Sequence, residues 1–200
     1  MPQILENSEY THEPAPNPVR WTRTQCRAML ESGILTGRYE LIDGEIITKM
    51  GQKRAHALVI IRLTAWLIAL FGPQFVQFQL PIHVPKPDSE TSEPEPDAAV
   101  LDRPAGDFVA NTPESAHVRL VVEVSDTTLS FDRNTKAALY ARAGIPEYWI
   151  VDIADRRLLV HRRPISGGYR DTLAYGSDEA VACLDRPDAP VNVVDLLPPV

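Results

Sequence analysis

Four side chains in this 200-residue sequence have the types and spacing to do chemistry together: Glu123, Asp97, Lys136 and Glu40. In the apolar run from Val118 to Val124, alternation puts Val118, Leu120, Val122 and Val124 on one face and Arg119, Val121, Glu123 and Ser125 on the other. Glu123 therefore ends a strand that reads as central and buried, where a carboxylate needs a cation or several donors to offset its desolvation. Asp97, just after Pro96 at the start of a short apolar run, is a second carboxylate that could meet it across a sheet. Two carboxylates, a backbone carbonyl such as that of Val124, and waters would make a reasonable Mg²⁺ site. The plainer alternative is a pair of strand-end acids, each satisfied by water or a lysine, since ion-pair networks imitate functional sites.

Lys136 shares a helical face with Leu139, Tyr140 and Ala143, which predicts an inward lysine near the end of the Glu123 strand. The competing reading is a surface Asp132–Lys136 pair in the favourable i,i+4 order, worth about 0.3–0.5 kcal/mol. Glu40 shares its hairpin face with Ile42 and Ile47, which is unusual for a solvated acid, though Lys49 could neutralise it. His56 opens an apolar helix and reads as a cap or core edge, because no second histidine stands at metal spacing. The acids Asp88, Glu90, Glu93 and Glu95 read as a solvated loop run with no catalytic role. The sequence has no Gly-rich phosphate loop, HExxH, GxSxG or strand-linked GxGxxG, so P-loop hydrolysis, serine-elbow chemistry and hydride transfer are unsupported.

The elements that must position these residues follow from local signals. Residues 1–18 are polar and proline-bearing without periodicity, a flexible tail ahead of one domain over 19–200. Thr22 opens a helix with Gln25 completing a capping box, Trp21 and Cys26 at the staple positions and Gly33 as its stop. Asp43-Gly44 between two alternating runs predicts a type I′ hairpin pairing Ile42 with Glu45 and Glu40 with Ile47. Ala55–Phe71 is apolar nearly all round, predicting a buried helix stopped by Gly72-Pro73 rather than a membrane span, since it is short and carries Arg62. A strand is expected over Phe75–Val84, a loop over Lys86–Pro96, and further strands over Asp97–Leu101 and Val118–Val124. A helix follows over Asp132–Ala143, with Asp132 as N-cap and Gly144 at C′, then a hairpin of Tyr148–Asp152 and Arg157–His161 and one more strand near the end. The alternation in the middle and the run of strands at the end predict an α/β fold of α+β type, a mixed central sheet flanked by helices.

Composition sets the bounds. Apolar residues make up 44% and charged residues 24% of the chain, ordinary for a globular protein with a core of useful size. The two cysteines, Cys26 and Cys183, form no CxxC pair, which fits a reducing cytoplasm, and the N-terminal segment lacks a signal-peptide pattern. The net charge of −7 runs against the basic balance of many nucleic-acid enzymes, although local strips of Lys49, Lys53, Arg54 and Arg62, or of Arg133, Lys136 and Arg142, could coexist with it.

The blocks YELIDGE, HALVIIRLTAWL, EPDAAV and VVEVSDTTLSFDRNTKAALYARAGIPEYWIVD, in that order, strongly resemble the Uma-two family of restriction-endonuclease-like proteins within the PD-(D/E)XK nuclease superfamily. The resemblance runs from about Trp21 to the C-terminus, and the block around Glu123 is its most specific part. It implies a restriction-endonuclease-like core, with Asp97 as the PD aspartate, Glu123 as the (D/E) glutamate and Glu40 as an additional acid near the metal. Ser125 stands where the family pattern has lysine, and in a migrated-lysine arrangement Lys136 would take that role from the helix. The implied activity is Mg²⁺-dependent (or Mn²⁺-dependent) hydrolysis of phosphodiester bonds in nucleic acid, DNA before RNA, with no membrane partner. Two other readings stay open: a catalytically silent relative that binds nucleic acid or protein, and a hydrolase of some other phosphoester. A homodimer is also open, although Tyr148-Trp149 alternates within a strand and reads as core before interface.

Overall fold

The computed structural model describes residues 18–49 and 53–199, so the expected tail over 1–18 lies outside the described residues except for Pro18. A helix α1 (Arg23–Glu31) is capped as the sequence predicts: Thr22 Oγ1 accepts from the Gln25 amide, and Gln25 Oε1 accepts from the Thr22 amide at 2.9 Å. The hairpin β1 (Tyr39–Ile42) and β2 (Glu45–Thr48) has the expected register, Ile42 opposite Glu45 and Glu40 opposite Ile47. Its turn needs positive φ at both central residues, and Asp43 (47°) and Gly44 (82°) supply it. Gly44 is required twice over, because a Cβ there would lie 2.6 Å from Arg20 Cβ.

Helix α2 (Arg54–Phe71) follows, ended by Gly72, and then six strands form the central sheet. These are β3 (Val76–Phe78), β4 (Ala98–Leu101), β5 (Val118–Ser125), β6 (Glu147–Asp152), β7 (Arg157–Ile165) and β8 (Gly168–Gly176), in that spatial order. Only β5 and β6 pair in parallel, Glu123 opposite Ile150, and their crossover is helix α3. Helix α3 covers residues 129–142 as an α-helical Leu129–Phe131, a π-helical turn Asp132–Lys136 and an α-helical Ala137–Arg142. A small pair, β9 (Ala180–Val181) and β10 (Val191–Asn192), leads into the short helix α4 (Val193–Leu196). The sheet is mixed and flanked by helices, as the order of elements predicts.

The two sheet faces carry separate apolar clusters. One joins Val59, Leu63 and Leu67 of α2 to Leu120, Val122, Val124 and Trp149, with Trp66 stacked on Trp149 at 5.5 Å. The other joins Leu139 and Tyr140 of α3 to Val121, Tyr148 and Ile150, and to Ile42 of the hairpin. Alternation along β5 divides its side chains between them as expected, and Tyr148 and Trp149 are both fully buried core residues.

Four expectations need correction. The strand over Phe75–Val84 is real only at Val76–Phe78, because Gln79 takes a positive φ (50°) and ends the ladder before Pro81. Helix α2 is not buried all round: Val59, Leu63 and Leu67 form its inner stripe while Ile61 is 63% exposed. Its length and mean hydropathy of 1.6 would suit a membrane span, yet its inner stripe packs against the sheet. Asp132 is not an N-cap, since the helix already begins at Leu129 and Asp132 is buried within it. The C-terminal region holds β8 and the β9–β10 pair, more than the single strand expected.

Candidate active site

The site forms where β4, β5, α3 and the β1–β2 hairpin meet. Glu123 is the penultimate inward residue of β5, only 3% exposed. Opposite the end of β5, β4 has stopped at Ala98, which pairs with Val122. The Val124 amide therefore lies beyond the ladder with β4, and the Asp97 side chain turns back to accept it, Oδ2 to N at 2.8 Å. A short β4 thus fixes the Asp97 carboxylate beside the Glu123 strand end.

Helix α3 supplies the cation. Its π-turn sets Lys136 inward, and Nζ lies 2.8 Å from Glu123 Oε1 and 2.8 Å from Glu40 Oε1. The surface pair with Asp132 is not formed: Asp132 is itself buried and accepts a 2.6 Å hydrogen bond from Thr128 Oγ1. Tyr140, one turn beyond Lys136, donates its hydroxyl to the same Glu123 Oε1 at 2.8 Å. Ser125 is buried with its hydroxyl 3.4 Å from Thr128 Oγ1.

Glu40 reaches the cluster because the hairpin is tied down. Leu41 and Glu93 exchange backbone hydrogen bonds at 3.3 and 2.7 Å, and the Gly44 amide donates to the Thr91 carbonyl at 2.7 Å. At the hairpin tip, Arg142 of α3 bonds Asp43 at 3.1 Å and Asp88 at 2.9 Å. Glu40 Oε2 accepts the Glu95 amide at 3.2 Å, and Lys49 stands 3.9 Å from it. Three of the four loop acids are accordingly not solvated: Asp88, Glu93 and Glu95 pair with Arg142, Arg23 and Arg38 and fasten the hairpin, while Glu90 is exposed as expected.

Electrostatics separate Asp97 from Glu123. Burial works to raise the Asp97 pKa, but His56, the Val124 amide and Lys49 outweigh it, so Asp97 is held below the usual carboxylate range. Burial pushes Glu123 up to about 8; the Lys136 charge opposes this, and the charges of Asp97, Glu40 and Asp132 add to it. Burial acts to lower Lys136, yet Glu123, Glu40 and Asp132 carry it upward and keep it an ammonium.

Sequence reasoning passed over two contributors. His56, read as a cap or core edge, has Nε2 3.5 Å from Asp97 Oδ2, and its Nδ1 is buried without a partner among the described residues. Burial lowers its pKa, but the hydrogen bond and charge of Asp97 leave it raised. Tyr140 was placed on the correct face, and its spacing of four from Lys136 was the available signal for a shared target. The two basic strips do not form: Lys53 pairs with Asp126 at 2.8 Å, Lys49 with Glu40 and Glu95, and Arg62 with the Leu197 carbonyl. With Lys136 and Arg142 also engaged, Arg54 and Arg133 alone of those seven residues make no ion pair or hydrogen bond among the described residues.

The donor set fits a hard cation. Asp97 is ionised, and both hydrogen bonds to Glu123 fall on Oε1, which leaves Oε2 to become a ligand atom once a cation displaces the proton that its raised pKa retains. Among the described residues no three His, Cys, Asp or Glu side chains are grouped to hold an ion by themselves. Mg²⁺ needs no such cage, since it is commonly held by one or two carboxylates with waters and substrate phosphate.

The chain matches the Uma2 family model, described as "putative restriction endonuclease", over residues 34–188. Among solved structures it is similar to the crystal structure of a "putative nuclease belonging to DUF820" from Anabaena variabilis ATCC 29413. The two share 16% identity with a TM-score of 0.61, covering 90% of this chain and 97% of that one. No curated protein matches the sequence.

Proposed function

This chain belongs to the Uma2 family of restriction-endonuclease-like proteins, and from that premise we propose that it is a divalent-metal-dependent endonuclease acting on nucleic acid, DNA before RNA, in the cytoplasm. The observation that carries the reading is the inward Lys136, which reaches Glu123 from helix α3 at 2.8 Å although the family lysine position holds Ser125. Asp97 and Glu123, with the Val124 carbonyl, would hold Mg²⁺ or Mn²⁺. When bound, such an ion supplies Lewis acidity that lowers the pKa of water and neutralises phosphate charge.

The chain's own residues divide the remaining work. Lys136, held as an ammonium, can orient a water or donate to charge developing on a phosphoryl oxygen, but it is poorly suited to remove a proton. Tyr140 and Lys136 fix Glu123 by its Oε1, and Glu40 holds Lys136 from the opposite side. His56 and the Val124 amide orient Asp97. The centre is almost closed to solvent, with Glu40, Glu123 and Lys136 each at most 4% exposed.

A second reading, a silent nuclease-fold module that binds nucleic acid or protein, draws support from the same lysine. Lys136 is already bonded to two carboxylates, and the chain carries a net charge of −7. Calorimetric titration of Mg²⁺ and Mn²⁺ into wild type and Asp97→Ala, with plasmid nicking and RNA cleavage on the same samples, separates the two. Metal binding lost in the variant together with metal-dependent nicking supports the endonuclease. Neither binding nor nicking favours the silent module, and binding with no cleavage of either substrate points to another phosphoester. Asp97→Ala and Glu123→Ala are each expected to abolish cleavage in a folded protein, and unimpaired nicking by either would sink the assignment. Sedimentation of the same samples tests for a homodimer.

A further inference from the structure

Arg133 and Lys136 belong to the same π-turn of α3, yet Lys136 is buried and Arg133 is exposed. Arg133 lines a pocket of about 400 Å³ between α3 and the β7–β8 hairpin. Thr172, the Gly167-Gly168 turn, Asn134 and His161 line the rest of its polar wall. In this strongly acidic chain the pocket has no carboxylate in its lining; two comparable surface pockets include Glu90, or Asp102 and Asp185, and a third that also lacks acids has no Arg or Lys either. Arg133 makes no ion pair among the described residues, unlike nearly every other basic residue once expected to form a strip.

His161 provides a second, independent observation. It is 4% exposed, its ring lies between Tyr148 and Tyr169 with centroids 5.3 and 5.8 Å away, and its Nδ1 is buried without a hydrogen-bond partner among the described residues. A buried polar nitrogen in this state is costly, and it becomes less so when a water or hydroxyl settles beside it. Burial also holds this imidazole neutral at ordinary pH, so it brings no charge of its own, and only one of its two nitrogens carries a proton. A guanidinium with no ion pair among the described residues, a hydroxyl and a glycine turn that offers close backbone approach form a set of donors with no competing anion in the pocket lining.

We propose that this pocket binds a phosphate oxyanion, with Arg133 as its charged anchor. In a nuclease the natural occupant is a backbone phosphate of the nucleic-acid strand, lying outside the reacting centre and gripping the helix that carries Lys136. That assignment of the occupant rests on the endonuclease reading; the phosphate site itself does not.

The test uses the full chain in EDTA, with amide chemical shifts of Gly167, Gly168 and Thr172 followed during titration with inorganic phosphate, then with a short DNA duplex. Phosphate should shift these amides in wild type and fail to do so in Arg133→Ala. The duplex should bind the variant about tenfold more weakly, with the slope of log affinity against log salt reduced by about one. Arg103→Ala, which removes an exposed charge outside the pocket, should leave both readouts unchanged. Absence of the phosphate shifts in wild type, or equal losses in Arg103→Ala, overturns the site. Phosphate shifts that vanish in Arg133→Ala without any duplex binding keep the site, assign it to a free or nucleotide phosphate, and count against the endonuclease. Duplex binding indifferent to Arg133 overturns the strand phosphate as the occupant and leaves the endonuclease standing.

Discussion

The two faces of the central sheet are built from the same strands and have opposite characters. On the α2 face, Val122 and Val124 meet Leu63, Leu67 and Trp149 in an apolar layer stacked with Trp66. On the α3 face, one residue out of phase, Val121 and Glu123 meet a layer that buries Glu40, Asp132, Lys136 and His161 beside Tyr140 and Tyr148. The first face draws its stability from area removed from water, and the second gives up part of that gain to hold charges in fixed positions. Stability and chemistry can therefore be separated by choosing which side of β5 to disturb.

Lys136→Met should disturb the charged face most. It leaves Glu123 and Glu40 buried without their shared cation, an expected loss of about 3–5 kcal/mol in urea unfolding together with all nicking. On the apolar face, Leu63→Ala should cost about 2–5 kcal/mol by transfer and cavity formation. Its nicking rate per folded molecule should stay within about twofold, below the roughly 1.4 kcal/mol that a tenfold change represents; a larger fall would show that the faces are coupled.

His161 offers a pH test of the charged face. Burial holds its folded pKa down at about 4, below the unfolded value near 6.5, so the unfolded chain takes up the proton first as pH falls. Its contribution is fully present above about pH 6.5 and is lost as pH falls toward about 4, by about 3 kcal/mol at most. His161→Phe should flatten that part of the urea-stability profile relative to wild type, and parallel profiles would refute the assignment. The smallest expected effect is Tyr140→Phe, which removes one donor from Glu123 at about 1–2 kcal/mol and slows nicking while leaving the apolar face intact.

Sequence patterns made the charged face partly legible. The alternation of β5 placed Glu123 inward, helical spacing turned Lys136 toward it, and Asp43-Gly44 set the hairpin register that carries Glu40. Each of these signals is local: a period, a turn residue, a cap. What stayed hidden depends on partners distant in the chain. His56 looks like a helix-end residue until Asp97 arrives beside it, and the loop acids look solvated until Arg23, Arg38 and Arg142 reach them. Asp132 resembled an N-cap by residue type, but the helix began one turn earlier and drew it inside. The basic strips failed for the same reason, since charges adjacent in sequence found separate partners.

The π-turn at Asp132–Lys136 can also be viewed as a matter of phase. A π-turn closes its hydrogen bonds over one more residue than an α-turn, and one residue is worth about 100° of rotation in an α-helix. Deleting a single residue within the turn would restore an ordinary helical count and leave the flanking turns nearly in phase, because the wider turn absorbs the extra residue, but it would change which side chains of the turn face the sheet. Such a chain could keep its length of helix and its apolar contacts and still lose the alignment of the charged face. Relatives with one residue fewer here would then be expected to carry their lysine at a different position, so that the length of this turn becomes a criterion for where to look for it.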